Sequence, residues 1–153
     1  MASGDAPRLT VLLVEDDPDD RLLAGHAFER SAPAILLKTS VDGEDAVAYL
    51  SGDGLYARRA DHPLPNLVLL DLKLPRKSGF EVLQWIRSEP GLKELPVFVL
   101  SSSQERGDIE LAYASGANSY LVKQADIRAF RGIIRGIEAY LSLVRGGASS
   151  AVE

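Results

Sequence analysis

Apolar residues in this chain fall into short continuous runs. Each run ends in polar residues and gives way to a segment with helical spacing. The first run, Leu9-Thr10-Val11-Leu12-Leu13-Val14, suits a strand buried on both faces. Glu15-Asp16-Asp17-Pro18 ends it, with Asp17 placed to cap a helix that has Pro18 in its first position. That helix is predicted to put Leu23, Ala24, Ala27 and Phe28 on one face and to stop near Ser31-Ala32-Pro33. A second strand follows over 35–39. Asp42-Gly43 is read as a turn, and Ala46, Val47 and Leu50 fit a short helix. Residues 51–66 carry no period and are rich in Gly, Pro, Arg and Asp, which predicts a surface excursion.

The third run, Leu67-Val68-Leu69-Leu70, delivers Asp71. Ser78 is a plausible cap for a helix over 79–88, stopped by Pro90-Gly91. Val97 to Leu100 is the fourth strand. Ser102 with Glu105 has the spacing of a capping box for the next helix. Gly116-Ala117-Asn118 leads into a fifth strand over 119–122, and a long last helix is expected from about Asp126 to Val144. Strands alternating with helices predict right-handed crossovers and a mostly parallel sheet with helices on both faces.

Composition narrows the chemistry. The 153 residues carry 46% apolar and 25% charged side chains, ordinary values for one domain. A net charge of −5 argues against a nucleic-acid-binding domain. Without cysteine there is no thiolate site, and the isolated His26 and His62 make no zinc pair. No signal core precedes the first strand and no run reaches membrane-spanning length, so the expectation is a cytoplasmic protein that meets no membrane.

The unusual polar residues all follow strands. Glu15 and Asp16 follow the first, Asp71 the third, Ser101 the fourth and Lys123 the fifth. In a parallel sheet these ends share one edge, where functional groups gather. Any one of them alone is explained by capping or by a solvated side chain; their joint order is not. Asp16 and Asp71 offer hard oxygen ligands suited to Mg2+, and Glu15 can hold a metal-bound water. Asp71 keeps an oxygen that can attack a phosphoryl group. Lys123 can neutralise charge around the transferring oxygens, and the Ser101 hydroxyl can donate to one of them.

These segments resemble the receiver domain of two-component response regulators: LLVEDDPDD, LVLLDLKLPRKSGFEVL, PVFVLSSS and GANSYLVK. The resemblance implies a doubly wound, flavodoxin-like α/β fold of strand order 2-1-3-4-5. It implies phosphorylation of Asp71 by a histidine kinase, with Mg2+ held by Asp16, Asp71 and the Lys73 backbone carbonyl. Tyr120 stands where that family has a rotating aromatic switch, and Ser102 lies next to the phosphoryl pocket, where Ala or Gly is common. Gln124 replaces a proline on a cis bond, so the loop after the last strand is expected to take another path. More narrowly, the chain is similar to stand-alone regulators that partner bacterial phytochrome kinases. It is read as a disordered segment over 1–7, a receiver over 8–145 and a flexible tail over 146–153, with no output domain.

Two further expectations concern output. Ile127, Phe130, Ile134, Ile137, Leu141 and Val144 form one stripe on the last helix, widened by Ile133 and Tyr140. A stripe that wide suggests a homodimer through Ile133, Ile137, Tyr140 and Val144. An enzyme is the rival class, since dehalogenase-like phosphatases also use a strand-end Asp. They need an acid two residues later, and Lys73 cannot serve. A receiver that binds partners without being phosphorylated is the other alternative. It is disfavoured because Glu15, Asp16, Asp71, Ser101 and Lys123 are all present.

Overall fold

A computed structural model describes residues 8–152, with side chains over 8–144. The disordered segment expected over 1–7 lies outside the described residues. Five parallel strands form one sheet: β1 (Thr10–Val14), β2 (Leu36–Ser40), β3 (Leu67–Leu70), β4 (Val97–Ser101) and β5 (Ser119–Val122). Their spatial order is β2-β1-β3-β4-β5, as the family resemblance implies. Helices α1 (Pro18–Ser31), α2 (Gly43–Ser51), α3 (Gly79–Ser88), α4 (Arg106–Ala114) and α5 (Ile127–Val152) connect and cover them.

The continuous apolar runs are explained by burial from both sides. Val11, Leu13, Leu67 and Leu69 face α1 and α5, packing on Ala27, Phe28, Ile134 and Ile137. Their neighbours Leu12, Val14, Val68 and Leu70 face α2 and α3, packing on Ala46, Leu50, Val82 and Ile86.

Several helix ends follow their local chemistry. Asp17 caps α1 by accepting from the Asp19 and Asp20 amides at 2.8 and 3.4 Å. Ser78 and Glu81 form a complete capping box on α3. Other expectations need correction. Asp42-Gly43 is no free turn, since Asp42 caps α2 and Gly43 is its first residue. The box expected from Ser102 and Glu105 does not form. Instead the Ser103 hydroxyl accepts from the Glu105 amide at 3.2 Å and donates to Asp108 at 2.5 Å. Leu23 is half exposed at 48%, because α1 turns it past the edge of the core. Helix α5 is described as Ile127–Val152, longer than the stretch from Asp126 to Val144 read from the sequence.

Ile137 also needs correction as an interface residue. It is 1% exposed and belongs to the core beneath α5. Ile133 and Tyr140 are half-buried against that core, with the Tyr140 ring 5.1 Å from that of Phe98. Val144 and Leu143 are exposed.

Candidate functional site

Strand register assembles the site. Val14 pairs with Leu70 and Ser101 with Val122, so Glu15, Asp71, Ser101 and Lys123 emerge together at the C-terminal edge. A strand that ends in a carboxylate beside another such strand forces like charges together. The fold relieves this with the Lys123 ammonium, which donates to Glu15 Oε1 at 2.7 Å and to Asp71 Oδ2 at 3.3 Å. Replacing the expected proline by Gln124 does not move Lys123 out of reach. The peptide bonds of the described residues are all trans, and the Lys123 amide donates to the Ser101 carbonyl at 2.8 Å.

Each carboxylate is held differently. Glu15 is buried, and its Oε2 accepts from the Asp17 amide at 3.1 Å. Burial pushes its carboxyl above the ordinary range, against the pull of Lys123 and the Asp17 amide. Asp71 is buried too, and its Oδ1 accepts from the Lys73 amide at 3.2 Å. Asp16 is exposed. Burial works to lower the Lys123 pKa, but Glu15 and Asp71 outweigh it and hold the ammonium above its usual value. One oxygen each of Glu15, Asp16 and Asp71 lie within 4.8 Å of one another. Three converging carboxylates of this kind match the hard oxygen donors that a small divalent cation prefers.

The hydroxyl side of the site is equally ordered. Ser101 is buried, and its oxygen accepts from the Ser103 amide at 3.1 Å, which leaves its proton for donation. Tyr120 is half-buried, and its hydroxyl donates to the Ser103 carbonyl at 2.8 Å. Its own amide donates to the Tyr113 hydroxyl at 3.1 Å. Ser102 is exposed and takes no part in these bonds, while Lys73 is exposed beside the acceptor loop.

Two participants escape sequence reasoning. Ser103 joins Ser101, Tyr120 and α4 through its amide, carbonyl and hydroxyl. Asp20, on the first turn of α1, accepts from Lys123 Nζ at 3.3 Å. The acidic run EDDPDD was the available signal for Asp20, but nothing in it says which acid meets a lysine 103 residues away. A cavity of about 530 Å³ opens between α1 and β2 and includes neither Asp71 nor Lys123. The chemistry therefore sits at an open sheet edge rather than in a deep pocket.

Comparison with known proteins bears on the fold and the family. Residues 11–135 match the response regulator receiver domain. Response regulator Rcp1 of Synechocystis sp. is 36% identical over 140 residues, spanning 92% of this chain and 93% of that protein. The crystal structure of the phosphorylated cyanobacterial phytochrome response regulator RcpA superposes with a TM-score of 0.79 at 39% identity, covering 88% of this chain and 94% of that one. The Mn2+-bound form of Rcp1 gives a TM-score of 0.75 at 37% identity, over 88% of this chain and 94% of that one.

Proposed function

This chain belongs to the response regulator receiver domain family, and from that premise we propose that Asp71 accepts a phosphoryl group from a histidine kinase. The observation that carries the proposal is the convergence on Asp71 of Glu15 and Asp16 from the end of β1 and of Lys123 from the end of β5. Asp71 attacks phosphorus with a carboxylate oxygen. A P–O bond forms, the P–N bond of phosphohistidine breaks, and the imidazole leaves with the electron pair. Lys123 neutralises charge on the phosphoryl oxygens, and Ser101 donates its hydroxyl proton to one of them. Glu15, Asp16 and Asp71, with the Lys73 carbonyl, fit Mg2+. The ion, when bound, screens the negative charge that gathers as the phosphoryl group arrives.

Ser101 transmits the change. A bond from its hydroxyl to the phosphoryl group draws β4 and the following loop toward Asp71. Ser103 then carries the shift to Tyr120 and α4, which supports Tyr120 as the switch. Output runs through the receiver's own surface or by passing the phosphate onward. Rcp1 and RcpA resemble the chain over nearly their whole lengths, and RcpA is a phytochrome response regulator; this supports a bacteriophytochrome as the partner kinase. The exposed Leu143 and Val144 with half-buried Ile133 and Tyr140 support a homodimer along α5.

Phosphate-affinity electrophoresis after incubation with acetyl phosphate and Mg2+ tests the central claim. A mobility shift is expected in the wild type and its loss in Asp71→Asn. An unshifted wild type would point instead to a receiver that binds its partners without phosphorylation.

A further inference from the structure

Three carboxylates share the Lys123 ammonium, and only two of them have a part in the chemistry proposed above. Glu15 accepts from Nζ at 2.7 Å, Asp71 at 3.3 Å and Asp20 at 3.3 Å. An ammonium has three protons, so these partners engage all its donors. The Glu15 and Asp71 side chains are 4% and 10% exposed, whereas that of Asp20 is 45% exposed. Asp20 also stands outside the group of converging carboxylates suited to a cation. Its carboxylate accepts from Lys123, at the far end of the chain from α1.

A small cavity of about 60 Å³ lies beside the lysine, lined by Glu15, Asp20, Leu23, Gln124 and Phe130 among others. The ammonium therefore has space on the α1 side. A phosphoryl group entering at Asp71 must draw at least one N–H from Lys123, and Asp20 competes for it.

We propose that Asp20 is a positioning residue that holds the Lys123 ammonium partly against α1 and thereby restrains phosphoryl transfer to Asp71. This rests on Asp71 being the acceptor. Removing the Asp20 charge frees an N–H for the incoming group. The neighbouring Asp19 is exposed, and Lys123 pairs with Glu15, Asp20 and Asp71 instead. It supplies a control of equal charge one residue away.

The test is the initial rate of phosphorylation by acetyl phosphate at saturating Mg2+, in which the donor's P–O bond breaks, a bond to an Asp71 oxygen forms and acetate leaves. A partly exposed ion pair of this kind implies a rate about two- to fivefold higher in Asp20→Asn. Asp19→Asn is expected to match the wild type. Equal rates for Asp20→Asn and wild type, or equal acceleration by both variants, would overturn the inference. A wild type that is not phosphorylated would overturn the acceptor reading itself, and this inference with it. A crystal structure of Asp20→Asn gives a second readout. The separation of Lys123 Nζ from Asp71 Oδ2 is expected to close from 3.3 Å; an unmoved ammonium would count against the positioning role.

Discussion

Gly79 has no room for a side chain. A Cβ there would lie 2.3 Å from the Asp71 carbonyl oxygen and 2.6 Å from Leu72 Cα. The start of α3 thus presses on the backbone that presents the acceptor. Gly79→Ala is expected to cost about 1–3 kcal/mol, as overpacking does, and to slow phosphorylation of Asp71 as well. A denaturation midpoint and a phosphorylation rate both equal to wild type would refute this. Lys73 acts from the other side of the acceptor. Its side chain stands exposed two residues past Asp71, while its amide holds Asp71 Oδ1. We expect it to limit water attack on the acyl phosphate, so Lys73→Ala should shorten the phosphoryl half-life by about fivefold, the rate equivalent of roughly 1 kcal/mol. An unchanged half-life, measured by loss of label, would reject that role. Glu15, Asp71, Ser101 and Lys123 were legible in the sequence because each follows an apolar run that had to be a strand. Asp20 was not, because its partner Lys123 lies 103 residues away; Ser103 was not, because nothing in a run of three serines says which hydroxyl meets Asp108 and which carbonyl meets Tyr120.

The excursion between α2 and β3 is more ordered than its composition suggests. A short 3-10 turn, Gly54–Tyr56, packs on α2. The Tyr49, Tyr56 and His62 rings cluster with centroids 4.8 to 5.9 Å apart. Arg59 donates to the Tyr49 and Leu50 carbonyls at 2.7 and 2.8 Å, satisfying the free end of α2. The Tyr49 hydroxyl donates to the Pro63 carbonyl at 2.9 Å, and that of Tyr56 to Asp45 at 2.6 Å. Burial pushes both phenols up to about 12. An unfolded tyrosine ionises near pH 10. Between these values the unfolded chain gives up protons that the folded chain keeps. The stabilisation is therefore complete below pH 10 and is lost as the pH rises toward 12. Urea midpoints measured from pH 9 to 11.5 should fall, and Tyr56→Phe should flatten the decline. Equal slopes in the two proteins would argue against it. Sequence reading missed this element because its order comes from rings and a guanidinium packed on α2, not from a period.

At the scale of the molecule, Lys123 ties β5 to the ends of β1 and β3 across the sheet edge, so the site and the fold share one ion network. The surface of α5 bears on assembly. With Ile137 in the core, an interface along this helix must use Leu143, Val144 and the outer edges of Ile133 and Tyr140. Light scattering at micromolar concentration should give a dimer for the wild type and a monomer for Tyr140→Glu combined with Val144→Glu. A monomeric wild type would remove the homodimer. The sequence alone determined that strands alternate with helices and that carboxylates, a hydroxyl and a lysine follow particular strands. Local spacing is enough for that, because burial on both faces demands continuous apolar runs. It could not determine from periodicity which strands are neighbours; the order 2-1-3-4-5 came from family resemblance and was settled by backbone pairing. Nor could it tell that Ile137 faces inward while Leu23 lies half exposed, or that Asp20 would reach Lys123. Those outcomes depend on how helices seat against the sheet, and that seating is decided by side-chain packing between segments far apart in the chain.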